Sequence, residues 1–244
     1  MRLLIAQLNC PVTTDLEAFL ASAKTLQSAT GFHLYNGGGG LSPLALGSFL
    51  REELDKEIYV HMHLADRNRA ALFSDLITGS VLGLEKIILS VGPHPAKTAI
   101  PGAKAVFDLD LLQFLRLAQR AKAGLDPAGA PMGGGPTSLQ IGVSAKVDSP
   151  LEWLRLRQMV ELGADFVFLK WPSKQLSLSQ LPGDLGRPIY LSLELGQAER
   201  EDGLWDQIRQ SGIVGINCYI PEGQMEKGEE FLSWCSHYLS SESS

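Results

Sequence analysis

The chain has 244 residues, of which 45% are hydrophobic and 20% are charged. These proportions are ordinary for a globular protein and leave ample material for a hydrophobic core. The formal net charge of −6 argues against nucleic acid or an anionic membrane surface as the main partner.

The cysteines and the apolar runs indicate a compartment. Cys10, Cys218 and Cys235 are an odd number and lack the spacing of a metal site, so we expect a reduced, cytoplasmic protein without a bound metal. The apolar run at residues 3–6 is too short for a signal peptide, and no run approaches the roughly 18 apolar residues of a membrane-spanning helix.

Strand-type and helix-type patterns alternate along the chain. The expected strands are Leu3–Leu8, Phe32–Tyr35, Ile58–His63, Lys86–Val91, Leu139–Ala145, Phe166–Lys170, Ile189–Glu194 and Ile213–Cys218. The expected helices are Asp15–Gln27, Pro43–Leu54, Arg67–Leu82, Leu109–Ala123, Pro150–Leu162, Leu204–Gln210 and Gly228–Leu239, with a short, polar and weaker one at Ser173–Leu181.

Eight such units, with strands rich in Val, Ile and Leu, are typical of a parallel sheet that is covered on both faces. The sequence therefore predicts an α/β fold with a single (β/α)8 TIM-type barrel over residues 1–239 and a frayed tail at 240–244. An open, doubly wound sheet is the alternative. The segment Gly124–Ser138 is rich in glycine and proline and is expected to be a mobile, turn-rich connection.

Polar residues recur at the ends of the strands, in the alternation that points into a barrel. In barrels these inward positions form the active site. They are Gln7, Asn9, Tyr35 or Asn36, His61, His63, Ser90, Gly92, Ser144, Lys146, Lys170, Ser192, Glu194 and Asn217.

Four segments stand out as motifs: Ala6–Pro11, His61–Asn68, Ala105–Asp110 with the two leucines after it, and Gly163–Phe166 with the strand that it opens. In order and spacing, over about two thirds of the chain, they resemble the methylenetetrahydrofolate reductase family of one-carbon metabolism. The resemblance implies a barrel that binds a tetrahydrofolate derivative as substrate or ligand, FAD as cofactor, and a partner subunit or a homo-oligomer.

Several positions depart from that family's pattern. The family's first-strand glutamate, which protonates the folate, corresponds to Gln7, and an amide cannot act as a general acid. The family's aspartate after strand four corresponds to Pro93, its folate-binding glutamine to Lys170, and its basic residues before strand six to Gln158–Met159. His61 is retained where the family contacts flavin. The resemblance therefore implies a diverged member with altered reductase chemistry.

The resemblance and the strand-end positions together give one set of expected site residues. The catalytic candidates are Gln7, Lys170 and Glu194; the cofactor-binding candidates are Tyr35, His61, Arg67 and Gly92; the substrate-binding candidates are Asn9, His63, Lys146 and Asn217.

Other interpretations of the same residues remain open. Lys170, expected to be partly buried beside Trp171 and near Lys146, is also placed for a Schiff-base lyase. A third alternative is a non-catalytic homologue that binds folate or stabilises a complex. Residues Gly37–Gly40 before a helix favour either a phosphate site or a flexible turn. Asp66 is expected to cap the third helix, which would begin at Arg67.

Overall fold

The computed structural model describes residues 2–98, 100–106, 108–171, 185–196 and 203–240. Within these residues, eight parallel strands form a closed barrel in which each strand pairs with the next along the chain. The barrel closes between the first and last strands, where Ile5 pairs with Asn217. The predicted (β/α)8 barrel is confirmed, and closure excludes the open sheet.

The strands are β1 Leu3–Asn9, β2 Gly31–Tyr35, β3 Glu57–His63, β4 Lys86–Ser90, β5 Gln140–Lys146, β6 Phe166–Lys170, β7 Ile189–Glu194 and β8 Ile213–Tyr219. The helices are α1 Leu16–Thr25, α2 Pro43–Glu53, α3 Arg69–Val81, α4 Leu111–Lys122, α5 Pro150–Glu161, α6 Leu204–Gln210 and α7 Met225–Ser240. In the described part of the chain, no helix is both long and apolar enough to cross a bilayer.

The start of α3 differs from the sequence-based expectation. The N-cap is Asn68, whose side chain accepts a hydrogen bond from the Ala71 amide at 2.9 Å, so the helix begins at Arg69 rather than at Arg67. The preceding residues form a turn in which the Arg67 amide donates to the Leu64 carbonyl. Asp66 lies in this turn, and the expectation that it caps the helix was wrong.

Other boundaries moved by one to three residues. Helix α4 begins at Leu111 because Asp110 and Gln113 form a reciprocal capping box, and α7 begins at Met225 instead of Gly228. The expected helix at Ser173–Leu181 lies outside the described residues, as do residues 241–244. Ser240 is the last residue of α7.

The connection Gly124–Ser138 is rich in turns, as predicted. Backbone hydrogen bonds hold two of them, from the Asp126 amide to the Ala130 carbonyl at 2.8 Å and from the Met132 amide to the Gly124 carbonyl at 2.7 Å.

Large apolar side chains fill the lower half of the barrel interior, toward the amino ends of the strands. This aromatic layer consists of Ile5, Tyr59, Ile88, Phe166, Phe168 and Tyr190. The rings of Phe168 and Tyr190 stack with centroids 4.9 Å apart. Glycine on a neighbouring strand makes room for them, since a Cβ on Gly142 would lie 2.0 Å from the Phe166 ring. The layer closes the barrel from below, so any internal site must lie above it.

Candidate functional site

Above the aromatic layer, the carboxyl ends of the strands surround a cavity of about 580 Å³. Its position is the one that barrel enzymes use for binding and catalysis, and its volume suits one ligand of drug-like size. Its lining residues are Gln7, Asn9, His33, Tyr35, Gly37, His61, Ser144, Lys146, Asp148, Lys170, Trp171, Ser192, Leu193, Glu194 and Tyr219.

A chain of hydrogen bonds crosses the floor of the cavity. The Ser90 hydroxyl lies 2.8 Å from His61 Nε2, and His61 Nδ1 lies 2.8 Å from His33 Nε2. On the far side of His33, Nδ1 lies 3.1 Å from Asn217 Oδ1. Asn217 Nδ2 then donates to Gln7 Oε1 at 2.9 Å. We call these five residues the histidine–amide chain.

The three central residues of the histidine–amide chain, His61, His33 and Asn217, are buried and uncharged. His33 is 2% exposed and His61 is 4% exposed. Burial lowers the pKa of His33 to about 3, only partly offset by its hydrogen bond to Asn217. Burial, and then the neighbouring His33, also holds the pKa of His61 well below its usual value. Both imidazoles are therefore neutral at physiological pH and can each donate one hydrogen bond and accept one.

His63 lies beside this chain but does not join it. Its Nε2 is buried without a hydrogen-bond partner among the described residues, and burial lowers its pKa to about 4. A Cβ on Gly92 would lie 2.5 Å from the His63 ring, so the glycine allows the imidazole to pack there. His63 and Gly92 are thus set back from the cavity lining.

Aromatic rings form part of the cavity wall. Tyr35 makes edge-on contacts with His61 and His63, with ring centroids 5.0 and 4.9 Å apart. Burial, and then Tyr219, raises the pKa of Tyr35. The Tyr219 hydroxyl accepts a hydrogen bond from the Asn9 side chain at 3.0 Å. A flat, polar ligand would therefore meet both ring surfaces and hydrogen-bonding groups.

Two lysines and two carboxylates line the cavity, on the exposed rim. Lys146 and Asp148 form an ion pair, which raises the pKa of Lys146. Lys170 pairs in strand register with Lys146 and, contrary to the sequence-based expectation, is exposed. Among the described residues neither Lys170 nor Glu194 has an ion-pair partner, so both charges face the cavity.

Arg67 lies apart from the main cavity. It forms an ion pair with Asp75, and both line a small separate space of about 30 Å³ beneath the start of α2. Asn217, expected to contact substrate, is fully buried and is linked to the cavity through hydrogen bonds to the lining residues His33, Gln7 and Ser192.

The glycine run after β2 packs closely against two loops. A Cβ on Gly38 would lie 2.3 Å from the Thr98 side chain, and one on Gly40 would lie 2.1 Å from the Cys10 carbonyl oxygen. Gly38 also has φ +109°, which favours glycine. The run is thus needed for close packing beside the cavity mouth.

Sequence reasoning did not propose five residues of the cavity lining as site residues: His33, Tyr219, Leu193, Asp148 and Trp171. The first two share the inward parity of residues that were identified, His33 with Tyr35 and Tyr219 with Asn217, so extending the alternation by one step would have found them. Asp148 and Trp171 follow the ends of β5 and β6, where alternation gives no guidance.

Gln158 and Met159, which align with the family's basic residues before strand six, lie away from the cavity. Met159 is buried in the core between α5 and the sheet, and Gln158 is exposed on the same helix. Among the described residues there is also no group of three or more histidine, cysteine or acidic side chains arranged to hold a metal ion.

Comparison with solved structures identifies the fold. No family model matches the chain, and no curated protein sequence matches it. Solved structures that resemble it include phosphoribosylanthranilate isomerase from Thermotoga maritima (TM-score 0.56, 13% identity, 99% of this chain and 100% of that one). A variant of the tryptophan synthase α-subunit from Pyrococcus furiosus has a TM-score of 0.60 at 14% identity, over 98% of this chain and 99% of that one.

A third similar structure is an uncharacterised protein from Clostridium thermocellum that binds two copies of 5-methyl-5,6,7,8-tetrahydrofolic acid. Its TM-score is 0.61 at 10% identity, over 97% of this chain and 96% of that one. At these identities the likeness establishes the fold alone. The chain is a TIM-type barrel.

Proposed function

We propose that this protein binds a reduced folate in the 580 Å³ cavity and acts in one-carbon metabolism. The observation that carries the proposal is the composition of the lining, in which amides and neutral histidines form the floor, tyrosines form part of the wall and charged side chains form the rim. A reduced folate is complementary to that arrangement, with a polar pterin, an aminobenzoyl ring and an anionic glutamate. The folate-binding barrel from Clostridium thermocellum and the resemblance to methylenetetrahydrofolate reductases support the same ligand class.

Each part of a reduced folate has a counterpart in the cavity. Gln7 can hydrogen-bond the polar edge of the pterin, and Tyr35 offers a ring surface. Lys170, whose charge has no partner among the described residues, is placed to bind a glutamate carboxylate. The chain's net charge of −6 makes a local cation at the rim important for holding an anionic ligand.

The described residues do not fit FAD. The diphosphate of FAD requires clustered cations or a row of backbone amides, whereas the cations in the described lining are Lys146, already paired with Asp148, and Lys170. His61, at the family's flavin-contacting position, uses both ring nitrogens in hydrogen bonds within the protein. Gln7 also has no titratable proton to give. We therefore propose folate binding without the reductase chemistry of the family.

Titration calorimetry with 5-methyltetrahydrofolate and methylenetetrahydrofolate tests this proposal, together with the visible absorbance of the purified protein. We expect one folate bound per chain and no flavin absorbance. The variant Tyr35→Ala should weaken binding through loss of a ring contact, whereas Trp234→Ala, which removes an exposed ring of α7, should not. A wild-type protein that binds no reduced folate would contradict the proposal.

A Schiff-base lyase is the second candidate, because Lys170 faces the cavity without a hydrogen bond or ion pair among the described residues. Its exposure favours a binding role, since nucleophilic lysines are commonly desolvated. Borohydride treatment with small aldehydes and ketones should leave the wild-type mass unchanged. An adduct that is absent from Lys170→Met would favour the lyase instead.

A further inference from the structure

The hydrogen bonds of the histidine–amide chain can all be donated in one direction along it or all in the other, without moving the side chains. In the first, Ser90 donates to His61, His61 donates from Nδ1 to His33, and His33 donates from Nδ1 to the Asn217 oxygen. In the second, both histidines carry the proton on Nε2 and both amides are turned over. The first direction leaves the NH2 group of Gln7 for the cavity, and the second leaves its oxygen.

Asn217 distinguishes the two directions. It is fully buried, and one end of its amide lies near two groups, the Gln7 side-chain amide at 2.9 Å and the Ser192 hydroxyl at 3.1 Å. The other end lies near one nitrogen, Nδ1 of His33. An amide has two N–H donors and one oxygen, so the first direction gives each donor its own acceptor.

In the second direction the Asn217 NH2 would face His33 alone. One buried N–H would then have no acceptor among the described residues. An unsatisfied buried donor shifts such an equilibrium by roughly tenfold to a hundredfold. The first direction is therefore the dominant one.

The direction of the chain fixes the amide of Gln7. Its oxygen accepts from Asn217, and its NH2 group has no hydrogen-bond acceptor among the described residues although Gln7 lines the cavity. We infer that the histidine–amide chain holds the NH2 of Gln7 toward the cavity, so that the ligand must place a hydrogen-bond acceptor against it.

The inference rests on the proposed function only for the identity of the ligand. In a reduced folate the acceptor would be the 4-oxo group or an unprotonated ring nitrogen. Gln7 is then a direct ligand contact, and Asn217 and His33 are positioning residues that act through it.

Nitrogen NMR of the ligand-free protein, with labelled histidine, tests the direction without any folate. We expect His33 and His61 to be neutral with the proton on Nδ1. The chain has five histidines, and His63→Gln, His94→Gln and His237→Gln identify the other three signals. Protons on Nε2 of both His33 and His61 would overturn the inference.

The variant Asn217→Asp reverses Gln7 without removing the buried side chain. Aspartate only accepts, so it keeps the bond from His33 while Gln7 must turn its NH2 inward and present oxygen to the cavity. We expect 5-methyltetrahydrofolate to bind about tenfold to a hundredfold more weakly, with both histidine tautomers unchanged. In the wild type the Gln7 side-chain amide signals should shift on adding this folate; in Asn217→Asp they should not. Unchanged affinity in a folded Asn217→Asp protein would overturn the inference.

Ser192→Ala gives a second test if Asn217→Asp does not fold. It removes one of the two acceptors that orient Asn217, so both directions then leave one N–H unsatisfied. We expect mixed tautomers at His33 and His61, and a retained single tautomer would count against the role of Asn217. If the tautomers are as expected and no folate binds the wild type, the proposed function fails while the direction of the chain is supported.

Discussion

The two halves of the barrel interior are built from the same strands but satisfy different physical demands. In the lower half, the aromatic layer fills space, and its side chains are nearly fully buried. In the upper half, the histidine–amide chain fills less space and leaves a cavity of about 580 Å³. Close packing determines which side chains the lower half accepts, and hydrogen bonding determines which ones the upper half accepts. Substitutions in the two halves should therefore destabilise the protein, or weaken ligand binding, for different physical reasons.

The largest expected effect concerns acid stability and the upper half. His33, His61 and His63 are neutral when folded, with pKa values of about 3 for His33 and about 4 for His63 and below the usual 6.5 for His61. Below pH 6.5 the unfolded chain binds protons that the folded chain does not. Stability is therefore full above pH 6.5 and falls as the pH drops toward 4, by up to about 1.4 kcal/mol per pH unit for each histidine.

Urea unfolding between pH 7.5 and 4.5 measures this slope. His63→Gln should reduce the loss of free energy of unfolding between these pH values by one histidine's share. His237→Gln, which changes an exposed histidine of α7, should leave it unchanged. A wild-type free energy of unfolding that is flat between pH 6.5 and 4.5 would contradict the buried, neutral state of the three imidazoles.

The next effect concerns the lower half and is independent of pH. Gly142→Ala places a Cβ about where the Phe166 ring now lies, and overpacking of this kind costs about 1–3 kcal/mol. Gly133→Ala is the matched control, because its added Cβ meets nothing within 4 Å. The second change Phe166→Leu in the Gly142→Ala background should recover part of the loss in urea unfolding. Equal stability of the two alanine variants would show that the aromatic layer can rearrange freely.

The same contrast explains what the sequence could and could not predict. The alternation of strands and helices predicted the barrel, and the alternation within strands identified most of the upper half, including Gln7, His61 and Lys170. Alternation does not show which inward residues bond to each other, because those partners come from strands distant in the chain. His33 and Asn217 are 184 residues apart and form one hydrogen bond. Arg67 was expected in the cavity, but it forms an ion pair with Asp75 of α3 and lies apart from the cavity.

The smallest effect concerns charge at the rim and separates ligand binding from stability. Lys170→Met should weaken 5-methyltetrahydrofolate binding by roughly threefold to tenfold, since exposed ion pairs contribute little, and should leave urea unfolding unchanged. The wild-type affinity should fall as salt rises from 0.05 to about 0.5 M, because rim charges are screened, while the variant's affinity should change less. Lys146→Met should have a smaller effect, because Lys146 is already paired with Asp148.

Lys97→Met is the control for the Lys170 prediction. It removes the same charge from a short helical turn after β4 that does not line the cavity, and this variant should bind folate like the wild type. If Lys97→Met and Lys170→Met lose affinity equally, the ligand responds to the overall charge of the protein, and Lys170 is not a specific contact.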